Sequence, residues 1–192
     1  MNTGQIMLVL AAFTLLAMLA LSVNRTMYGS VILGLEMEAT LNALSIGQSM
    51  LDEAMQKNFD QKTINKVVYS PSEVTSPADL GPETGEAIAG IDSAYMAGEE
   101  FHDFKSKTAF NDVDDYHLYH RRVWNARLGY FDVIDSVKYV KESEPSTQSS
   151  GATFYKVVVV VVTHPNLPRA SSSDTASAPI ILRDISVYRQ YF

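Results

Sequence analysis

The sequence predicts an α+β protein in which one long N-terminal helix packs on an antiparallel β-meander. Three observations predict this fold: an uncharged apolar run over residues 6–23, a helical periodicity that continues to residue 58, and three strand-like segments towards the C-terminus. A chain of 192 residues is long enough for one such domain and one additional segment. We therefore expect residues 1–58 to form the helix and residues 59–192 to form a globular β-domain.

The apolar run at the N-terminus has three interpretations: a secretory signal peptide, a plain membrane anchor, or an assembly element that moves from a bilayer into a polymer. The 18 residues from 6 to 23 contain no charge, and Arg25 follows them. As a helix they span about 27 Å, close to the hydrocarbon thickness of a bilayer. The preceding stretch MNTGQ lacks the basic residues of a signal peptide. We therefore expect residues 5–23 to span a membrane.

The helical pattern continues beyond Arg25 without a proline and carries two apolar tracks. An ordinary surface helix has one such track, so two tracks predict burial on two sides. Gly29, Gly34 and Gly47 permit close approach of another helix, although the first two also weaken the helix. A coiled-coil stalk is the alternative, and the irregular heptads disfavour it. One track contains Tyr28, Val31 or Ile32, Leu35, Ala39, Ala43, Ile46, Met50 and Ala54, and the other contains Met37, Leu41, Leu44, Leu51, Met55 and Phe59.

The rest of the chain is predicted to be an irregular connection followed by strands. Residues 60–110 are rich in proline, glycine and acidic residues, and we expect one short helix near residues 85–97. Segments 130–140, 154–164 and 179–192 are predicted strands separated by turn-forming residues, which indicates a meander. The six valines from 157 to 162 predict a central strand covered on both faces, with the C-terminal half of the helix as one cover.

Composition excludes several classes of function. The net charge of −7 disfavours nucleic-acid binding, because contacts to phosphates require a basic face. The absence of cysteine excludes disulfides, thiolate metal sites and thiol nucleophiles. The sequence also contains no glycine-rich phosphate loop and no nucleophile elbow, so we expect no enzymatic activity.

Two local stretches, SIGQSMLDEAMQKNFD (45–60) and FNDVDDYHLY (110–119), together with the helix-and-meander pattern, resemble the type IV pilin superfamily, which includes minor pilins and pseudopilins. The resemblance implies a structural subunit that is stored in the inner membrane and then assembled into a cell-surface filament. Its implied partners are copies of itself, the membrane and a pilus assembly machinery. The residues expected to pack in the filament core are Gln5, Leu8, Ala12, Leu16, Leu19, Tyr28, Val31 and Leu35.

The chain departs from the pilin pattern at its N-terminus. Members of the superfamily carry a short basic leader that ends in glycine, followed by a glutamate at the fifth mature position. Either Gly4 ends a very short leader, or Met1 is the mature start and Gln5 replaces the glutamate. In the second case Gln5 offers hydrogen bonds to a neighbouring subunit but no ion pair. The helix proline of the family is also missing, and Gly29 or Gly34 takes its place.

An acidic stretch near the middle of the chain is the candidate cofactor site. Four side chains that carry oxygen ligands lie within five residues: Asn111, Asp112, Asp114 and Asp115. Such a density of oxygen ligands suits Ca²⁺, although the spacing is not that of an EF-hand. The alternative is an acidic turn that accepts its own backbone N–H groups. His117 and His120 near Asp114 offer a weaker transition-metal alternative, since a third clear ligand is missing.

A second functional hypothesis is a monomeric binding domain held outside the membrane by a single span. Its ligand would bind at the acidic turn or at the 60–110 connection. Two further features stay open on either hypothesis. The serine-rich stretch SSSDTAS (171–177) is a solvated loop or a glycosylated one. The terminal aromatic residues Tyr188, Tyr191 and Phe192 are core residues or a subunit contact.

Overall fold

A computed structural model describes residues 2–86, 90–95, 108–171 and 175–189 and confirms the predicted α+β class. The chain divides into two compact units, Met1–Glu38 and Ala39–Phe192. The helix and the strands are α1 (Thr3–Met55), β1 (Asp92–Tyr95), β2 (His120–Asn125), β3 (Gly129–Lys141), β4 (Glu144–Gln148), β5 (Tyr155–Thr163) and β6 (Ile180–Val187), and short 3₁₀ helices lie at Gln61–Thr63, Pro71–Glu73 and Asp114–Tyr116.

Helix α1 is continuous and close to its predicted length. It passes through Gly29 and Gly34 without a break, so the expected loosening at these glycines is not observed. The helix ends three residues earlier than predicted because the next residues find other backbone partners. The backbone N–H of Asn58 donates to the Asn111 carbonyl at 3.2 Å, and its carbonyl accepts from Val113 at 2.8 Å. Asp60 then caps the first 3₁₀ helix.

The sheet has six strands in the order β1-β2-β3-β5-β6, and β4 pairs with β3 at one end. The predicted meander is confirmed, because β3, β5 and β6 pair antiparallel in sequence. Strands β1, β2 and β4 were not predicted, and β1 joins β2 in parallel. The prediction of a short helix near residues 85–97 is wrong for residues 92–95, because these residues form strand β1. Residues 87–89 and 96–97 of that prediction lie outside the described residues.

Strand β5 is buried on one face only, which corrects the prediction that both faces are covered. Side chains of Val158, Val160 and Val162 are fully buried, whereas those of Val157 and Val159 between them are partly exposed. A run of identical residues shows no alternation in the sequence, so the one-sided burial could not be read from it.

The buried face of β5 is covered by the C-terminal part of α1, as predicted. Ala43, Ile46 and Met50 lie in one core cluster with the valines of β5. The helix approaches the sheet most closely at Gly47, where an added Cβ would lie 2.8 Å from Leu182 Cδ1 and 3.2 Å from Val162 Cγ2. Any side chain at Gly47 would displace these neighbours, so the glycine fixes the distance between helix and sheet.

Candidate functional site: the apolar helix and the acidic turn

The N-terminal unit presents an apolar helix surface on every side. All residues from 2 to 35 are exposed, including Leu16 at 62% and Tyr28 at 71%. Arg25 is the only charged side chain before Glu36. The predicted packing residues Gln5, Leu8, Ala12, Leu16, Leu19, Tyr28, Val31 and Leu35 all belong to this exposed surface. This helix is long and apolar enough to cross a membrane, and it is therefore compatible with a membrane anchor.

Several of the hydroxyl groups on this surface bond within the helix. Thr14 donates to the Ala11 carbonyl at 2.8 Å, and Thr26 donates to the Ser22 carbonyl at 3.0 Å. Because these groups are already paired with backbone oxygens, they do not need water. The surface therefore suits an environment of lipid chains or of other apolar helices.

The two predicted tracks have different fates where α1 enters the second unit. Ala39, Ala43, Ile46, Met50 and Ala54 of the first track are buried, as predicted. In the second track, Leu51 and Phe59 are buried and Met55 is half-buried, but Leu41 and Leu44 remain exposed at 66% and 45%. Leu41 and Leu44 line a shallow groove on α1 together with Ser45, Gln48, Ser49, Asp52, Glu53 and Gln56. Leu41 and Leu44 are thus not covered by the described residues of a single chain.

An ion pair that the sequence did not predict joins α1 to the sheet. Arg121 on β2 donates two hydrogen bonds to Glu53, at 2.7 Å and 2.9 Å, and is only 4% exposed. Burial alone would raise the pKa of Glu53, but the hydrogen bonds and charge of Arg121 hold it below its usual value. Tyr116 also donates to Glu53, at 2.9 Å. Glu53 lies within the stretch 45–60, and its hydrogen bonds to Arg121 and Tyr116 attach this part of the helix to the rest of the β-domain.

The acidic turn accepts several of its own backbone N–H groups. Asp115 Oδ2 accepts from Asn111 at 2.8 Å and from Asp112 at 3.1 Å. Asp112 Oδ1 accepts from Asp114 at 3.0 Å and from Asp115 at 3.3 Å. Burial and then the charge of Asp114 raise the pKa of the Asp112 carboxyl. These contacts correspond to the self-capping alternative for part of the turn.

Asp114 is held by a buried lysine that the sequence did not single out. Lys156 Nζ lies 2.6 Å from Asp114 Oδ1, 3.0 Å from Asp60 Oδ2 and 2.7 Å from the Phe59 carbonyl, and its side chain is fully buried. The ammonium also lies over the rings of Phe59 and Tyr139. Lys156 lies on the same face of β5 as the buried Val158, because the two residues are two positions apart in the strand. This spacing is the sequence feature that could have predicted the burial of Lys156. Asp114 therefore contributes to the core of the domain.

Two glutamates from the connection lie beside the other end of the turn. Glu83 and Glu86 each place a carboxylate oxygen close to a carboxylate oxygen of Asp115. The Asn111 side chain donates from Nδ2 to Glu86 Oε1. Of the four residues predicted to bind calcium, the structure thus places Asn111 and Asp115 next to new acidic neighbours. No local pattern in the sequence indicated Glu83 and Glu86, because they lie 25 or more residues before Asn111.

The remaining candidate residues have partners of their own. His117 Nδ1 accepts the N–H of Val137 at 3.3 Å, while His120 Nε2 lies 3.1 Å from Asp132 Oδ1. Tyr188 accepts the N–H of Val68 at 3.1 Å and packs on Phe59 within its own domain. Tyr191, Phe192 and residues 172–174 of the serine-rich stretch lie outside the described residues. The histidines therefore have separate structural roles.

Comparisons with known proteins do not add a family to these observations. Neither the family models, nor the curated proteins, nor the solved structures contain a match to this chain. What the fold defines is an α+β domain with a long apolar N-terminal helix whose C-terminal part packs on an antiparallel sheet. That arrangement is compatible with a pilin-like fold.

Proposed function

We propose that this protein is a structural subunit of an extracellular, type IV pilus-like helical filament. One observation carries the proposal: the exposed apolar surface of α1 continues from residue 24 to residue 35, beyond the stretch of about 20 residues that one bilayer span buries. The exposed Leu41 and Leu44 continue the apolar character into the second unit. Copies of the same helix are the partner whose chemistry fits this surface.

The proposed mechanism keeps the apolar helix out of water at every stage. The bilayer first buries residues 5–23, and a bundle of identical helices buries the same surface after assembly. Head-to-tail contacts that do not close produce an open helical filament, with the β-domains on its outside. Gly29 and Gly34 lie on the exposed surface and carry no side chain, so another helix can approach closely at these positions. Gln5 contributes hydrogen bonds to the docking of a new subunit and no ion pair.

The alternative function is a monomeric extracytoplasmic binding domain on a single membrane anchor. The length of the apolar helix favours it to the same extent, since a helix that spans a bilayer needs no assembly. The two functions differ in the fate of residues 24–35 and of Leu41 and Leu44, which lie outside the predicted span. A monomer exposes their apolar side chains, whereas a filament buries them.

The deciding experiment is cryo-electron microscopy of material sheared from cells that express the full chain. We expect helical filaments with the N-terminal helices in the core. The variant Leu16→Asp should abolish both membrane storage and filaments, because a carboxylate at the centre of a bilayer costs about 2.5–3.5 kcal/mol.

Leu118→Asp is the matched control for this variant. Leu118 is 72% exposed on the β-domain and has a φ of 60°, which aspartate tolerates better than leucine. We expect normal filaments from this variant. Normal filaments from Leu16→Asp would disprove the helix-core proposal, and a wild-type protein that stays monomeric in the membrane would support the binding-domain alternative.

A further inference from the structure

Three carboxylates from two separate segments meet beside the acidic turn. One carboxylate oxygen each of Glu83, Glu86 and Asp115 lie within 4.8 Å of one another. The backbone N–H of Ala109 donates to the Glu86 carbonyl at 2.7 Å, which fixes the connection next to the residues that lead into the turn. The backbone N–H of Glu83 donates to Glu86 Oε2 at 2.9 Å, so the two glutamates are also fixed to each other. The cluster is therefore held by backbone contacts.

Carboxylates this close together repel one another when they are ionised, and a cation bound between them would remove that repulsion.

An independent observation is that buried oxygens at this place have no hydrogen donor. Asp115 is fully buried, and its Oδ2 accepts two backbone N–H groups, whereas its Oδ1 has no hydrogen-bond partner among the described residues. Asn111 Oδ1 and Glu83 Oε2 are likewise buried and without a partner in the described part of the chain. A buried oxygen left without a partner destabilises the fold, because it has lost its hydrogen bonds to water. Three such oxygens at one cluster indicate a bound cation, which would accept their electron pairs.

We propose that Glu83, Glu86 and Asp115, with the side-chain oxygen of Asn111, bind one Ca²⁺ ion. All of these ligands are oxygens, which suits a hard cation and disfavours zinc. Ligands on opposite sides of Ca²⁺ are about 4.6–5.2 Å apart, which accommodates the observed spread of the carboxylate oxygens. Mg²⁺ demands a near-ideal octahedron and usually keeps several waters, so a set of oxygens supplied by protein side chains suits Ca²⁺ better.

The site revises the calcium prediction from the sequence and gives the ion a structural role. Asp112 and Asp114 are not ligands in this proposal, because neither belongs to the group of carboxylates whose oxygens lie within 4.8 Å of one another. The Oδ1 atom of Asp112 accepts from the turn backbone, and that of Asp114 contacts Lys156. The ligands lie on both sides of residues 87–110, so the ion would close that part of the chain into a loop. Calcium would then stabilise the β-domain by binding only the folded form. The proposal does not depend on filament assembly.

The test is isothermal titration of CaCl₂ into the full chain in detergent micelles, after removal of cations with a chelator. We expect one equivalent of Ca²⁺ to bind. We also expect Ca²⁺ to raise the midpoint of thermal unfolding, which is monitored by the fluorescence of the single tryptophan, Trp124. The double variant Glu83→Gln and Glu86→Gln should bind at least tenfold more weakly while its midpoint in chelator does not fall, because both residues are only partly buried.

Glu144→Gln is the matched control, since Glu144 is exposed on β4 and lies outside the cluster. This variant should bind Ca²⁺ as the wild type does. The proposal is overturned if the wild type shows neither binding heat nor a shift in midpoint. It is also overturned if the double variant retains wild-type affinity, which would place the ion elsewhere, or if MgCl₂ alone binds as tightly as CaCl₂.

Discussion

The two parts of helix α1 meet very different surroundings although they belong to one continuous element. Every residue from 2 to 35 is exposed, and nearly all of them are uncharged. From Ala39 onwards one face is buried against the sheet, and charged residues such as Asp52 occupy the outer face. The first part therefore needs an apolar environment from outside the chain, whereas the second part obtains one from its own domain.

The same contrast holds for charge. The N-terminal unit carries Arg25 and no other charge before Glu36, whereas the β-domain buries several charged groups. Lys156 and Arg121 each lie within hydrogen-bond distance of a carboxylate, so both charges are paired. A domain that folds in water can include such pairs because its geometry is fixed by the sheet. The exposed part of α1, residues 2–35, has no such fixed surroundings among the described residues.

The largest effect is expected from breaking the buried lysine network. Lys156→Met should destabilise the β-domain by about 3–5 kcal/mol, because Asp60 and Asp114 would lose their cation in a buried place. The measurement is urea unfolding followed by Trp124 fluorescence. Lys138→Met is the control on the exposed face of β3. An equal loss of unfolding free energy in both variants would show that the buried contacts of Lys156 do not stabilise the domain more than an exposed lysine does.

A second test uses the same substitution in the two parts of α1. Gly47→Leu should destabilise the β-domain by about 1–3 kcal/mol, because its side chain would enter the space of Leu182 and Val162. Gly34→Leu has nothing within 4 Å of its Cβ and should leave the unfolding midpoint of the domain unchanged. Equal stabilities of the two variants would contradict the close packing at Gly47.

A smaller effect is expected from Asp135, which is fully buried on β3 with both carboxylate oxygens lacking a partner among the described residues. Burial raises the pKa of Asp135 from its usual 3.8 to about 8, partly opposed by Arg121. The folded state therefore binds a proton that the unfolded state releases, so this group makes stability fall as pH rises from about 4 to about 8.

Asp135→Asn removes the titrating carboxyl group, so the stability of the variant should decrease less than that of the wild type as pH rises. Relative to wild type, we expect the variant to gain at least about 1.4 kcal/mol between pH 5 and pH 9, the equivalent of one pKa unit. Asp184→Asn, at an exposed position on β6, should leave the pH dependence as in the wild type. Parallel pH profiles for Asp135→Asn and wild type would contradict the burial of a protonated carboxyl.

Patterns of short range in the sequence determined the helix, the three meander strands and the face of α1 that covers them. The uncharged run over residues 6–23, the spacing of Ala39, Ala43 and Ile46, and the alternation in β3 each report a local solvent preference. Such patterns suffice because a helix or strand face repeats every few residues. They do not suffice for the valine run of β5, where identical residues conceal which face is buried.

The tertiary structure alone decided which distant groups meet. Lys156 finds Asp60, 96 residues earlier, and Glu86 meets Asn111, 25 residues later. Strand β1 joins the sheet edge in parallel, although its sequence resembles the irregular connection around it. Pairing of charges and of strand edges depends on loop closure and on the register of the whole sheet. No local periodicity encodes these contacts, so the sequence determined the elements and the fold determined the contacts between them.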